Sequence, residues 1–333
     1  MKAMVMTAPG APKVLQLLEV PTPTFSGGRQ LLVRLHAAGV NPVDTKLRSR
    51  GTYFPERMPA ILGCDGAGVV EATGPEAQDF QAGDAVYFCN GGIGGHPGTY
   101  AEYAVIDERF AAPKPRSLSF AEAAAVPLAL ITAWEALHER AHLQQGQCVL
   151  IHAGCGGVGH LAIQLAKLHD ARVFTTVSDP AKAQLARELG AELAVSYHKT
   201  DFVAAVNEWS GGHGADLALD TVGGVTFVRT VRAVRHYGDL VTLLQPGAEV
   251  DWKEARLRNL RISFELMLTP MLHGLIDVQQ QQADILRRAA TLFDAGKLRI
   301  HISHVLPLAK AAEAHRLIEA GGMTGKIALT LAD

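Results

Sequence analysis

QCVLIHAGCGGVGHLAIQLAK, residues 147–167, is the stretch whose reading decides the fold. Residues 148–153 form a short apolar run of strand length. Residues 154–159 read G-x-G-x-x-G, and Leu161, Ile163, Leu165, Ala166 and Leu168 then carry a largely apolar helix. Glycine turns also join strands to helices for packing alone, but strand, turn and helix in this order identify a dinucleotide-binding unit. Gly154 permits the tight turn, Gly156 lets a pyrophosphate approach the backbone, and Gly159 lets helix and strand pack closely. N–H groups at the helix start then face the phosphates, aided by the helix dipole.

Working outward, the same alternation continues toward the C-terminus. Strands are expected at 172–177, 193–196, 215–220 and 239–244, with an apolar run at 260–268 as the sixth. Helices are expected at 180–189, 201–209 and 225–234. Six strands with intervening helices make a doubly wound Rossmann domain, placed here at residues 122–269. Residues 1–121 read differently, as short β-type runs separated by Pro- and Gly-rich turns, the pattern of a mostly antiparallel β lobe. The tail, residues 270–333, has no βαβ partner of its own. It is expected to return to the first lobe, so that the cofactor domain is an insertion. The fold class is α/β, a Rossmann domain plus an antiparallel β domain.

Composition bounds the function. A formal net charge of −2 gives no electrostatic case for nucleic acid or an anionic membrane. No segment offers ~18 uninterrupted apolar residues, so no membrane-spanning helix is expected. The four cysteines (Cys64, Cys89, Cys148, Cys155) have no paired spacing, so neither a disulfide framework nor a zinc ribbon is read. The first residues lack the apolar length of a signal peptide, and a cytoplasmic location is expected.

An NAD-type site places Asp or Glu about 20 residues past the glycines. Here Val177 is followed by Ser178 and Asp179-Pro180. Asp179 can be read as a ribose ligand, but Asp before Pro is a good N-cap with Pro at N1. Ser178 can donate a hydroxyl to a 2′-phosphate, and Lys182 can supply charge or stand as a solvated helix lysine. NADPH is the expected cofactor.

Six stretches now resemble the medium-chain dehydrogenase/reductase superfamily: AAGVNPVDTKLRSRG (37–51), LGCDGAGVV (62–70), GTYAEY (98–103), AAAVPLALITAWEAL (123–137), IHAGCGGVGHLAIQLAK (151–167) and TGKIALTL (324–331). Within it the chain is similar to the zinc-independent quinone oxidoreductase branch, which includes the zeta-crystallins. The resemblance implies a GroES-like catalytic domain in the first lobe. Zinc-dependent members hold a metal with a Cys matched by Asn41, a His matched by Cys64, and a Cys or Asp near Leu128. Asn and Leu are not ordinary zinc ligands; Cys64, Asp65 and His96 could in principle meet a metal, but by ligand count no metal is expected. Without a Lewis acid to hold an alkoxide, a quinone or conjugated enone becomes the expected acceptor, because its anion is delocalised.

The resemblance also implies site residues. Asn41, Asp44, Tyr53 and Asp65 are the catalytic candidates. Asn41 can donate to the acceptor oxygen or hold a water, and Tyr53 can donate a hydrogen bond or proton. Asp44 and Asp65 each read either as loop-fixing or as catalytic groups. Gly156, Gly157 and Val158 should present amides to the pyrophosphate. Thr132 matches a position near the nicotinamide, with helix packing as the alternative. Tyr197 matches a tyrosine covering the adenosine phosphate, and Leu243 and Gln245 lie where the nicotinamide ribose is expected. Lys326 matches a lysine near the cofactor; a surface salt bridge is the other reading. The implied activity is NADPH:quinone reduction. Reduction of activated C=C bonds is the first alternative, and a structural or RNA-binding crystallin-like role the second. If the sixth strand lies at the sheet edge, pairing with a second copy gives a homodimer.

Overall fold

The computed structural model describes residues 1–24, 27–248 and 250–331. The chain divides into two compact units, residues 1–131 with 268–333, and residues 132–267. The stretch 122–131, assigned above to the cofactor domain, lies in the first unit.

The first unit opens with β1 (Lys2–Met6), β2 (Leu15–Glu19), β3 (Gln30–Val40), β4 (Ala60–Ile61), β5 (Asp65–Thr73), β6 (Ala85–Cys89), β7 (Tyr103–Asp107) and β8 (Ala111–Pro113). Leu31, Val33 and Leu35 of β3 are buried in alternation, the two-residue period of a half-buried strand. β3 pairs antiparallel with β5, placing Gly39 opposite Asp65. A helix, Pro42–Arg50, follows β3 directly. Helices Phe120–Ala124 and Pro127–Trp134 are separated just before Pro127, and the first is capped by Ser119 with Glu122 at N3.

The second unit is a six-stranded parallel sheet: β9 (Cys148–Ile151), β10 (Arg172–Val177), β11 (Leu193–Ser196), β12 (Ala215–Asp220), β13 (Val234–Thr242) and β14 (Arg261–Phe264). Their spatial order is β11-β10-β9-β12-β13-β14, the doubly wound order with its switch between β9 and β12. Leu150, Phe174, Val206, Phe227 and Leu240 are buried in one apolar cluster of this unit. Each such side chain contributes about 1.5–3 kcal/mol by leaving water. The sixth strand ends at Phe264, earlier than the expected run to 268, because Glu265 turns its side chain inward and helix Thr269–His273 begins soon after.

The tail supplies β15 (Ile302–Pro307) and β16 (Lys326–Thr330). β16 lies between β15, to which it is parallel, and β3, to which it is antiparallel. The tail thus closes the sheet of the first unit. No helix of the described residues is long and apolar enough to cross a membrane.

Candidate functional site

In the second unit, the expected cofactor residues follow the carboxyl ends of neighbouring parallel strands. Gly154 follows β9, Ser178 follows β10, Tyr197 follows β11, and Leu243 and Gln245 follow β13. Open α/β sheets bind ligands at this edge. A Cβ on Gly154 would stand 2.1 Å from Thr175 Oγ1, and one on Gly159 would stand 2.3 Å from the Ala153 carbonyl. Only glycine lets turn, strand and helix approach this closely. Gly156 is different: an added Cβ would meet only Ala153, at 3.1 Å from its carbonyl oxygen. The N–H groups of Gly157 and Val158 have no acceptor among the described residues, and the helix Gly159–Leu168 starts just behind them. An anion fits this cradle by backbone donors and helix dipole. Cys155 fills the turn, 2% exposed, with its Sγ donating to the Lys182 carbonyl. Burial pushes its thiol up to about 11, which removes it as a thiolate nucleophile.

At the end of β10, Asp179 accepts from the Lys182 N–H at 2.9 Å and caps the helix Pro180–Glu188, with Pro180 in its first turn. The Ser178 hydroxyl donates to Asp179 Oδ2 at 2.7 Å, and Lys182 Nζ donates to Ser178 Oγ at 2.9 Å. The lysine is therefore held against the strand end rather than extended into solvent. Tyr197 is 49% exposed, Gln245 is exposed, and Leu243 is half-buried, with its N–H donating to the Asp220 carbonyl. Thr132 is buried within its helix.

In the first unit, Asn41, Asp44, Asp65 and Lys326 are brought into one buried cluster, none more than 4% exposed. Sheet register explains the meeting. Asp65 opens β5 opposite Gly39, and Lys326 opens β16, whose next residue faces Val40. Asn41 caps helix Pro42–Arg50, and its N–H donates to Asp44 Oδ2 at 2.8 Å. Its side-chain Nδ2 donates to Asp65 Oδ2 at 2.8 Å, while its Oδ1 accepts from Lys326 Nζ. Asp65 Oδ1 accepts from the N–H of Leu128, at the start of the following helix, at 2.9 Å. Lys326 is not the surface ion pair considered above, because β16 runs inside the sheet.

The electrostatics follow from burial. Burial raises the Asp44 carboxyl to about 7, against the hydrogen bonds from Asn41 and Tyr100 that favour its anion. Burial also pushes Asp65 up and Lys326 down, each shift partly offset by the other's charge. Cys89 is held well above its ordinary value by its hydrogen bond with Cys64, by burial and by Asp65. Asp44 therefore titrates near neutrality, and the cluster offers no ready thiolate.

A catalytic zinc does not fit these residues. Both polar atoms of the Asn41 amide are engaged, and a buried ammonium sits against its oxygen. Among the described residues no three His, Cys, Asp or Glu side chains gather in a metal-holding arrangement. His96 is exposed in its loop, whereas Cys64 and Asp65 are buried. Tyr53 is not part of the cluster either: it is 47% exposed, and its N–H donates to the Ile93 carbonyl.

Two partners were not read from the sequence. The Tyr100 hydroxyl donates to Asp44 Oδ2 at 3.0 Å, and His315 Nε2 lies 3.3 Å from the same hydroxyl. The signal for Tyr100 was its place in the GTYAEY stretch. His315, in a tail helix, had none.

Comparison with known proteins places this geometry. Residues 27–116 match the alcohol dehydrogenase GroES-like domain family, and residues 189–329 match the zinc-binding dehydrogenase family. A quinone oxidoreductase of Pseudomonas aeruginosa is 32% identical over 328 residues, covering 98% of this chain and 99% of its own. Among solved structures, an NAD-dependent alcohol dehydrogenase is 32% identical with a TM-score of 0.89, over 100% of both chains. A mycobacterial protein complexed with NADPH is 28% identical with a TM-score of 0.86, over 99% of this chain and 100% of its own. The parallel sheet with its glycine turn, the GroES-like unit and full-length similarity lead to one conclusion: the chain belongs to the quinone oxidoreductase branch of the medium-chain dehydrogenase/reductase superfamily, a family of oxidoreductases that bind nicotinamide dinucleotides.

Proposed function

We propose that this enzyme is a zinc-independent NADPH:quinone oxidoreductase. The observation that carries the reading is the engagement of Asn41 by Lys326 and Asp65, where zinc-dependent members hold a metal. A reaction that needs no Lewis acid suits such a site. Bound NADPH supplies a hydride, and a quinone accepts it because the resulting anion is delocalised over the ring. The chain's part is orientation and proton supply. Gly156, Gly157 and Val158 receive the pyrophosphate on backbone amides. Ser178 and Lys182 offer a hydroxyl and a cation to a 2′-phosphate. With its carboxyl raised to about 7, Asp44 exchanges a proton near neutral pH and can replace one taken up by the reduced acceptor.

Steady-state rates with a benzoquinone and with a conjugated enone, each under NADPH and NADH, test the reading. The expected result is a higher kcat/KM with benzoquinone and NADPH. A preference for the enone moves the enzyme to reduction of activated C=C bonds, and a preference for NADH removes the 2′-phosphate role of Lys182. Tightly held zinc after gentle purification overturns the metal-free reading.

The same proposal includes a homodimer in the cytoplasm. β14 is an edge strand, with Phe264 59% exposed and Leu266, just beyond it, 48% exposed. An uncovered apolar edge favours pairing with a second copy. Light scattering that reads a single chain at every concentration rejects the dimer.

A further inference from the structure

Helices Pro42–Arg50 and Ala311–Ala320 of the first unit each carry two polar side chains one turn apart. These are Asp44 and Arg48 on the first, His315 and Glu319 on the second. Tyr100 links Asp44 to His315 through its hydroxyl. Arg48 Nη2 donates to Glu319. Asp44, Tyr100 and His315 are fully buried and Arg48 is 1% exposed, whereas the Glu319 side chain is 39% exposed. The row therefore runs from the interior to the surface.

Four atoms in this row are buried without a hydrogen-bond partner: Asp44 Oδ1, Arg48 Nε and Nη1, and His315 Nδ1. An unmet buried polar atom costs about 1–3 kcal/mol, so their concentration in one seam calls for a physical reason. Two are donors and two are acceptors, the complement that bridging water satisfies. With Asp44 ionised, the Tyr100 O–H is donated to its Oδ2 and the Tyr100 oxygen is left to accept from His315 Nε2–H; in that tautomer Nδ1 is a bare acceptor. Burial and the Arg48 charge bring the imidazole down to about 3, so it passes a proton without retaining it.

We propose that Glu319, His315 and Tyr100, joined by water that the Arg48 guanidinium holds in place, form a proton path between solvent and the Asp44 carboxyl. This deepens the function proposed above and rests on it. Each hydride delivered to a quinone leaves an anion that binds one proton, which Asp44 replaces and then recovers from solvent. In recovery a proton arrives at His315 Nδ1, the Nε2 proton passes to Tyr100, and the Tyr100 proton passes to the Asp44 carboxylate. One N–H or O–H bond breaks for each that forms, and no electrons are transferred. Asp44 is faced by Asp65 and Lys326 from β5 and β16 and by the neutral Cys64 thiol just before β5, while Arg48 acts on His315. Asp65 and Lys326 act as positioning charges that set the Asp44 proton affinity, while Tyr100 and His315 set its rate of exchange.

The test needs neither cofactor nor acceptor. The protonated Asp44 carboxyl has an infrared C=O stretch, identified by its loss in Asp44→Asn, whose shift on transfer into D2O reports exchange. Below pH 7 we expect Tyr100→Phe and His315→Leu to slow that exchange about tenfold or more, within the range set by relay groups in acid–base catalysis. Tyr100→Phe removes a single oxygen and carries the test if His315→Leu does not fold. Unchanged exchange in folded Tyr100→Phe, or no protonated Asp44 band at any pH between 4 and 7, overturns the path. Slowed exchange in a protein that does not reduce quinones keeps the path and rejects the function. Fast exchange in an active quinone reductase does the reverse.

Discussion

The glycine turn at 154–159 and the buried cluster around Asn41 are both fitted to chemistry, but they are built from opposite materials. The turn is contiguous and works through what it lacks: side chains are absent where strand and helix come close. The cluster is centred on buried charged and amide side chains, and Asn41 and Lys326 stand 285 positions apart in the chain. Backbone donors at a helix start are oriented by the helix itself and need little support. Buried carboxylates and an ammonium lose their hydration, and only their mutual contacts offset that cost. A site built from backbone is thus robust and easily read, whereas one built from buried charge depends on every member.

The largest effect that separates the two regions should come from Lys326. Lys326→Met leaves Asp65 and the Asn41 amide oxygen without their cation in a fully buried site. Breaking such a set by removing one partner costs about 3–5 kcal/mol. Urea unfolding measures this loss, and Lys326→Met combined with Asp65→Asn should regain much of it. A single-variant loss below about 1 kcal/mol, or no recovery in the double variant, would falsify the view that charge pairing holds the cluster.

Asp44 sharpens the same contrast through pH. Its folded value of about 7 lies above the ordinary 3.8, so the folded chain binds this proton more tightly than the unfolded chain does. Its stabilising contribution is therefore complete below about pH 4 and is lost as pH rises through about 7. Asp44→Asn cannot titrate, so its stability relative to the parent should climb across that window by on the order of 4 kcal/mol. Denaturant midpoints measured at pH 5, 6, 7 and 8 follow the trend, and parallel curves for both proteins reject the raised carboxyl.

How much of this was legible follows the same division. The six strands and their doubly wound fold class were readable because a βα unit carries its periodicity and its turn within some 30 residues. The helix Pro42–Arg50 was not, since Leu47 and Val43 are its only aliphatic side chains and no apolar stripe forms. Its start nevertheless carried a signal in Asn41-Pro42 followed by Asp44 at N3, the pattern of a capped helix. Tyr100 lies before β7, which begins at Tyr103, and turns its hydroxyl to Asp44. Arg48, His315 and Glu319 meet across more than 260 positions, and nothing local to any of them announces the others. Lys326 was ambiguous for a related reason, because burial of a charged residue is set by the strands on either side of it.

The glycines themselves provide the smallest and most discriminating test. At Gly159 an added Cβ meets the Ala153 carbonyl at 2.3 Å and the Gly154 Cα at 2.9 Å, both backbone atoms that cannot swing aside. Gly159→Ala should therefore cost about 1–3 kcal/mol of stability, as overpacking does. At Gly156 the nearest atom is 3.1 Å away and the φ angle is not one that excludes alanine, so stability should change little. What Gly156→Ala adds is a methyl group on the open side of the turn, where a pyrophosphate comes against the backbone. Nicotinamide dinucleotide affinity should then fall by roughly tenfold, equivalent to about 1.4 kcal/mol, while the unfolding midpoint stays near that of the parent. Fluorescence titration and urea unfolding of the two variants separate the roles. If Gly156→Ala binds the dinucleotide normally, or unfolds as readily as Gly159→Ala, then close approach of a ligand is not what keeps glycine at 156, and the turn is a packing device along its whole length.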